Sequence, residues 1–142
     1  MPCIFCQIIA GEAEASIVYS DGHCIAFMNI RPVNPGEFMV IPRAHIDHFT
    51  DIPDDLAAHI LLVGQKLGRR MLERLKPLRV GYVVHGFGVA HAHLNVVPLM
   101  QPNDIISTKH VVVKDGTFEV SVKGVEAPPR AELDRIAELI GG

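Results

Sequence analysis

The chain has 142 residues, 49% of them apolar, and a formal charge of −3 with histidine neutral. That length suits one domain, 1–142, with a sizeable core. The charge excludes a global pull toward nucleic acid or acidic lipid, and no apolar run nears the roughly 20 residues that span a bilayer.

The start, Met1-Pro2-Cys3-Ile4-Phe5-Cys6, lacks a basic segment followed by an apolar one, so a cytoplasmic protein is expected. Residues 3–9 suit a short helix carrying a Cys-x-x-Cys pair. Residues 15–20 and 23–29 read as strands joined at Asp21-Gly22, a two-residue hairpin signal. Cys24 stands in the second of these and reads as a small core residue. Three cysteines in such a chain argue against a disulfide framework. Pro32, Pro35 and Gly36 punctuate a loop, and residues 37–42 read as a third strand.

Residues 52–75 are the clearest helix. Leu56, Ile60, Val63, Leu67, Met71 and Leu75 recur at steps of three or four and make one apolar stripe. Pro53, Asp54 and Asp55 suit its first turn. Arg69, Arg70, Arg74 and Lys76 crowd its end, where they complement the helix dipole rather than mark a phosphate site. Residues 78–84 and 89–98 read as strands, with His85-Gly86-Phe87-Gly88 turning between them. Residues 110–114 and 117–123 suit a hairpin around Asp115-Gly116. Residues 128–140 suit a final helix, with Leu133, Ile136 and Ile140 on one face. Hairpin-linked strands with inserted helices imply an α+β fold on an antiparallel sheet.

Val89-Ala-His-Ala-His-Leu-Asn-Val-Val-Pro98 carries the most chemistry. In a strand, His91, His93 and Asn95 point to one side and Ala92, Leu94 and Val96 to the other. A core-filling strand needs no such polar row. A metal or a reacting phosphate accounts for it. A catalytic metal on His91 and His93 ranks last, because Asn95 is a poor third ligand.

The chain resembles the histidine triad (HIT) family. The signature His-φ-His-φ-His-φ-φ, with φ apolar, stands here as His91-Ala92-His93-Leu94-Asn95-Val96-Val97. Ordered ahead of it are Cys3-Ile4-Phe5-Cys6, Ala26-Phe27-Met28-Asn29-Ile30, Pro32-Val33-Asn34-Pro35-Gly36 and Val40-Ile41-Pro42-Arg43-Ala44-His45. The signature region covers residues 3–100, and residues 101–142 form an extension with its own hairpin and helix. The resemblance implies a five-stranded antiparallel sheet carrying a long helix, homodimers formed by joining sheets, and a nucleotide substrate. It implies hydrolysis or transfer of nucleoside monophosphate groups, as on phosphoramidates or dinucleoside polyphosphates; charge and hydropathy add the expectation of no membrane or nucleic-acid partner.

On these residues His93 matches the family's nucleophile, which forms a covalent nucleotidyl-histidine. The nucleotide is expected against Asn29, Ile30, His85, Gly88, His91, His93 and Asn95. Two departures stand out. Asn95 occupies a place where the family usually has histidine, and an amide supplies no titratable proton. The outcomes are a transferase, a slow hydrolase, or a nucleotide-binding module with weak or no turnover. Asn29 stands where the family has an aspartate that accepts from both ribose hydroxyls, so ribose recognition is expected to be weaker or altered. The family's Gln-Ser pair before the triad is missing. Finally, some bacterial members complete the Cys-x-x-Cys pair with two histidines matching His45 and His91. The resemblance thus implies a structural zinc on Cys3, Cys6, His45 and His91. His23, His48, His59 and His110 have no motif around them and read as ordinary histidines.

Overall fold

A computed structural model describes residues 2–104, 111–120 and 126–142. The order of elements is α1 (Ile4–Ile9), β1 (Ile17–Ser20), β2 (Cys24–Met28), β3 (Phe38–Pro42), a 3₁₀ turn (Phe49–Asp51), α2 (Asp54–Leu75), β4 (Arg79–Val83), β5 (Leu94–Leu99), β6 (Val111–Lys114), β7 (Thr117–Val120) and α3 (Arg130–Gly141). Five strands form one sheet in the order β1-β2-β3-β5-β4, each pair antiparallel. Among the described residues, β6 and β7 pair only with each other. Asp115 and Gly116 both have positive φ there, as a primed hairpin turn requires. His110 and residues 121–123, predicted as parts of that hairpin, lie outside the described residues.

The period-two alternation of β2 and β3 sorts their side chains to two cores. Cys24, Ala26, Met28, Phe38 and Val40 join α2 and α3 on one face. Ile25, Phe27, Met39 and Ile41 join Phe5 of α1 on the other. Both strands are buried on both sides, which is why they read as unbroken apolar runs. The predicted stripe of α2 is the buried one. Ile60, Leu67 and Met71 are fully enclosed, each burial contributing about 1.5–3 kcal/mol. Lys76 closes the helix in the left-handed conformation (φ 54°) and Pro77 prevents its continuation. Arg70, in the basic cluster, donates to the carbonyl of Gly141 and ties α2 to the end of α3.

Two local expectations are corrected. The first hairpin does not turn on Asp21-Gly22. Its central residues are Gly22 and His23, neither with positive φ, and the Asp21 carboxylate caps the turn by accepting the His23 and Cys24 amides at 2.7 and 2.9 Å. The strand expected from residue 89 begins only at Leu94. The chain bends before it because its amides are taken elsewhere. His91 N–H donates to Val89 O (2.8 Å) and Ala92 N–H to Ile46 O (2.7 Å).

No helix among the described residues is long and apolar enough to cross a membrane.

Candidate functional site

The bend at 89–93 keeps the alternation without the strand. Ala92 and Leu94 enter the core beneath α2. His91 and His93 face the other side, where the Phe5 ring meets both edge-on, with centroids at 5.8 and 5.5 Å. The two histidines are therefore largely covered, while Asn95 is half-buried. His91 is fully buried and His93 is 8% exposed. Phe5 also packs edge-on against Phe27 (5.2 Å), so α1 is a wedge seated on the sheet beside the two histidines.

Carbonyl oxygens fix the state of both rings, since they only accept hydrogen bonds. His93 Nδ1 lies 2.8 Å from His91 O and so carries a hydrogen. Its Nε2 then bears the lone pair in the neutral ring, and no described residue bonds to it. His91 has the opposite tautomer. Its Nε2 lies 2.8 Å from Pro42 O, leaving the Nδ1 lone pair to face Cys3, Cys6 and His45. Burial, together with His45 and His93, holds the His91 pKa below its ordinary value against the Pro42 bond, which favours the neutral ring.

Cys3, Cys6, His45 and His91 bring their ligand atoms within 4.8 Å of one another. His91 Nδ1 is 3.3 Å from His45 Nδ1, 3.5 Å from Cys3 Sγ and 3.6 Å from Cys6 Sγ. Cys6 Sγ is 3.3 Å from His45 Nδ1. A tetrahedral zinc with ordinary bond lengths has N–N edges near 3.3 Å and N–S edges near 3.5 Å, roughly the spacings seen. Burial and the neighbouring Cys3 push the Cys6 thiol up. Two adjacent thiols resist double ionisation unless a cation lies between them. The four residues fit a structural divalent metal, and the Pro42 carbonyl is the outer-shell acceptor that such a histidine requires.

Asn95 sits within β5, paired with Met39 and Val83. Asn29 follows β2. Its Nδ2 donates to Glu37 Oε2 (2.6 Å) and its Oδ1 accepts from Arg31 N–H (2.9 Å). Ile30 is exposed. His85 and Gly88 lie in an exposed loop where His85 packs on Phe87, centroids 5.0 Å apart. No hydrogen bond among the described residues joins this loop to His93 or Asn95. A groove of about 670 Å³ between β1 and α3, lined by Ser16, Val18 and Asp134 among others, contains no triad residue.

Sequence reasoning missed three residues. In the sequence, Phe5 stands out only as part of the Cys-x-x-Cys motif. Glu37 is 4% exposed, an acid at the head of an apolar run, which is the signal that was available. His59 Nε2 lies 2.6 Å from Asp21 Oδ2, which also accepts from Tyr19 OH at 2.8 Å. That pair ties the first hairpin to α2 and had no motif to reveal it. Cys24 is the core residue expected. Burial, with the Asp21 charge beside it, pushes its thiol up to about 12.

The HIT domain family model matches residues 10–101. The chain belongs to the HIT family. Relatives of this HIT protein include an uncharacterized HIT-like protein of Methanocaldococcus jannaschii, 38% identical over 68% of this chain and 78% of that one. The protein named hit of Bacillus subtilis is 33% identical over 68% and 70%. Among solved structures, a Zn-bound histidine triad family protein from Mycobacterium smegmatis covers 99% of this chain and 91% of its own, at 27% identity and TM-score 0.75. A HIT family hydrolase from Legionella pneumophila covers 68% and 91%, at 35% identity and TM-score 0.60. The family match begins after the cysteine pair, so the two thiols of the metal-ligand set lie outside the matched domain.

Proposed function

We propose that this HIT protein transfers or hydrolyses nucleoside monophosphate groups through His93. The observation that carries the reading is the His93 tautomer: Nδ1–H is committed to a carbonyl, and Nε2 keeps a free lone pair. A neutral imidazole so held is a competent nucleophile near pH 7. Nε2 attacks the α-phosphorus in line, and an Nε2–P bond forms. The bond from phosphorus to the leaving group breaks, and the leaving group departs with the electron pair and takes up a proton from solvent water. Water or another acceptor then displaces the nucleotidyl group and returns the lone pair to Nε2. Asn95 donates hydrogen bonds to the phosphoryl oxygens or the leaving group but no proton. Good leaving groups are therefore the better substrates.

Cys3, Cys6, His45 and His91 would hold a zinc ion, as the ligand spacings and the Zn-bound Mycobacterium smegmatis relative support. Such an ion supplies a structural clamp between the N-terminal segment and the bend that carries His93. Two copies would pair along β4, the sheet edge where Leu78 and Tyr82 are exposed.

The test is a trapping experiment. Protein is incubated with an α-³²P-labelled adenosine phosphoramidate and denatured without acid, because phosphohistidine bonds are acid-labile. Label on the intact chain that disappears in His93→Ala is expected. Asn95 favours one other reading, a nucleotide-binding module without turnover. Bound nucleotide that survives unchanged, with no trapped label, would establish that reading and overturn the first.

A further inference from the structure

A second set of metal-ligating side chains meets where the first hairpin touches α2. Asp21, Cys24 and His59 bring one ligand atom each within 4.8 Å of one another. They come from the turn, from β2 and from α2. His59 Nε2 lies 2.6 Å, and Cys24 Sγ 3.7 Å, from the same carboxylate oxygen, Asp21 Oδ2. Tyr19 OH donates to that oxygen at 2.8 Å. The other oxygen, Oδ1, is filled by the His23 and Cys24 amides. The His23 ring stands edge-on to His59, centroids 5.7 Å apart at 79°. His45 and His91, in the first set, stand 5.1 Å apart at 80°.

The thiol is the odd member. Cys24 is fully buried, and its side chain makes a single long hydrogen bond among the described residues, to Asp21 Oδ2. Burial, and then the Asp21 charge, push the thiol up to about 12, while Arg43 pulls the other way. A cysteine that only fills a core gains nothing from a carboxylate at its sulfur. A cation between the two reverses the balance, because a coordinating thiol is deprotonated outright.

We infer that Asp21, Cys24 and His59 form a second metal site, for a divalent transition-metal ion of borderline softness such as zinc or cobalt. One carboxylate oxygen, one thiolate sulfur and one imidazole nitrogen suit such an ion. On binding, Cys24 releases its thiol proton to solvent. His59 gives up its Nε2 hydrogen and takes one up at Nδ1, so the Nε2 lone pair faces the ion. Ordinary bond lengths put O–S edges at about 3.6 Å and O–N edges at about 3.4 Å. The first spacing is already met. The second requires the His59 ring to withdraw by about 0.8 Å, and that ring, 36% exposed, has solvent behind it. The fourth position opens toward solvent beside His23. The ion replaces one hydrogen bond with a clamp between the first hairpin and α2. This site is independent of His93 and of the first metal-ligand set.

The test uses the whole protein, supplied with one equivalent of zinc and then titrated with cobalt(II). Zinc outranks cobalt in affinity, so the first set keeps its zinc. A thiolate-to-cobalt charge-transfer band in the near ultraviolet is expected, saturating at about one cobalt per chain. It should vanish in Cys24→Ala. In His59→Gln it should need at least about 10–100-fold more cobalt, the loss usual even for a partner one shell further out. Tm should rise with cobalt in wild type and stay fixed in Cys24→Ala. No band in the zinc-supplied wild type overturns the inference and leaves Asp21 and His59 as a hydrogen-bonded pair. A band that persists in Cys24→Ala puts the cobalt on Cys3 and Cys6 and overturns it too. Should Cys24→Ala fail to fold, His59→Gln decides, and cobalt binding there at wild-type strength overturns the inference. None of these outcomes bears on the nucleotidyl transfer proposed for His93.

Discussion

The carbonyl of His91 accepts the Nδ1 hydrogen of His93 at 2.8 Å, while the His91 ring faces the Cys3, Cys6 and His45 ligand atoms. One residue therefore serves two sites, by its main chain and by its side chain. Whatever holds the His91 ring also holds the acceptor that sets the tautomer of the nucleophile candidate.

Metal removal should therefore cost activity as well as stability. Protein purified without an affinity tag is expected to carry about one zinc per chain. Exhaustive chelation should lower Tm by about 5–15 °C and depress turnover in parallel, with zinc restoring both. Zinc content well below one per chain, or chelated protein with unchanged Tm and rate, would break the link.

Asn95→His should help most where the leaving group most needs a proton. On an adenosine phosphoramidate the rate is expected to rise by up to about 10²–10⁴, the usual range for general acid assistance. A substrate with a well-stabilised leaving group should gain far less. Steady-state kinetics on the two substrates make the comparison, and no gain on the phosphoramidate would show that position 95 is not where an acid is missing.

The Asp21 network predicts a definite pH dependence. Burial disfavours its charge, but the His23 and Cys24 amides, His59 and Tyr19 outweigh that and hold the carboxyl well below the usual carboxylate range. A lowered pKa contributes stability that is complete above the unfolded value, near 3.9, and is lost as pH falls through the folded value. Asp21→Asn should lose about 1–3 kcal/mol at pH 7 through hydrogen bonds its amide cannot accept. Urea unfolding from about pH 4 down to about pH 2 should show this gap narrowing. A gap that widens on acidification would contradict the assignment.

Gly36→Ala tests the loop that leads into Glu37. Gly36 has φ 111°, and a Cβ there would collide with Leu75 Cδ1. The strain and the collision together should cost about 1–3 kcal/mol, read as a lower urea midpoint with the slope unchanged. An unchanged midpoint would mean the loop has room to relax.

Much of this fold was legible because apolar periodicity dominates it. The stripe from Leu56 to Leu75 predicted α2 and its buried face, and the runs at 23–29 and 37–42 predicted two central strands. The bend at 89–93 was not legible. The alternation His-Ala-His-Leu is compatible with a strand, and only the distant acceptor at Ile46 and the turn at Val89 divert its amides. The site shows the same division. The family resemblance implied Cys3, Cys6, His45 and His91 as one ligand set, and the coordinates bring them together. Glu37 and His59 act through partners 8 and 38 residues away in sequence, and local pattern cannot show such pairings.

The two borders of the main sheet are not equivalent. At β1 the ladder is broken by a register shift between Ile17 and Tyr19, and Gly141 of α3 lies against the Val18 carbonyl. At β4 exposed Leu78 and Tyr82 stand beside a strand with one open side among the described residues. Were two copies to join along β4 about a twofold axis, the merged sheet would keep only its two β1 borders, where the broken ladder and α3 oppose a further strand.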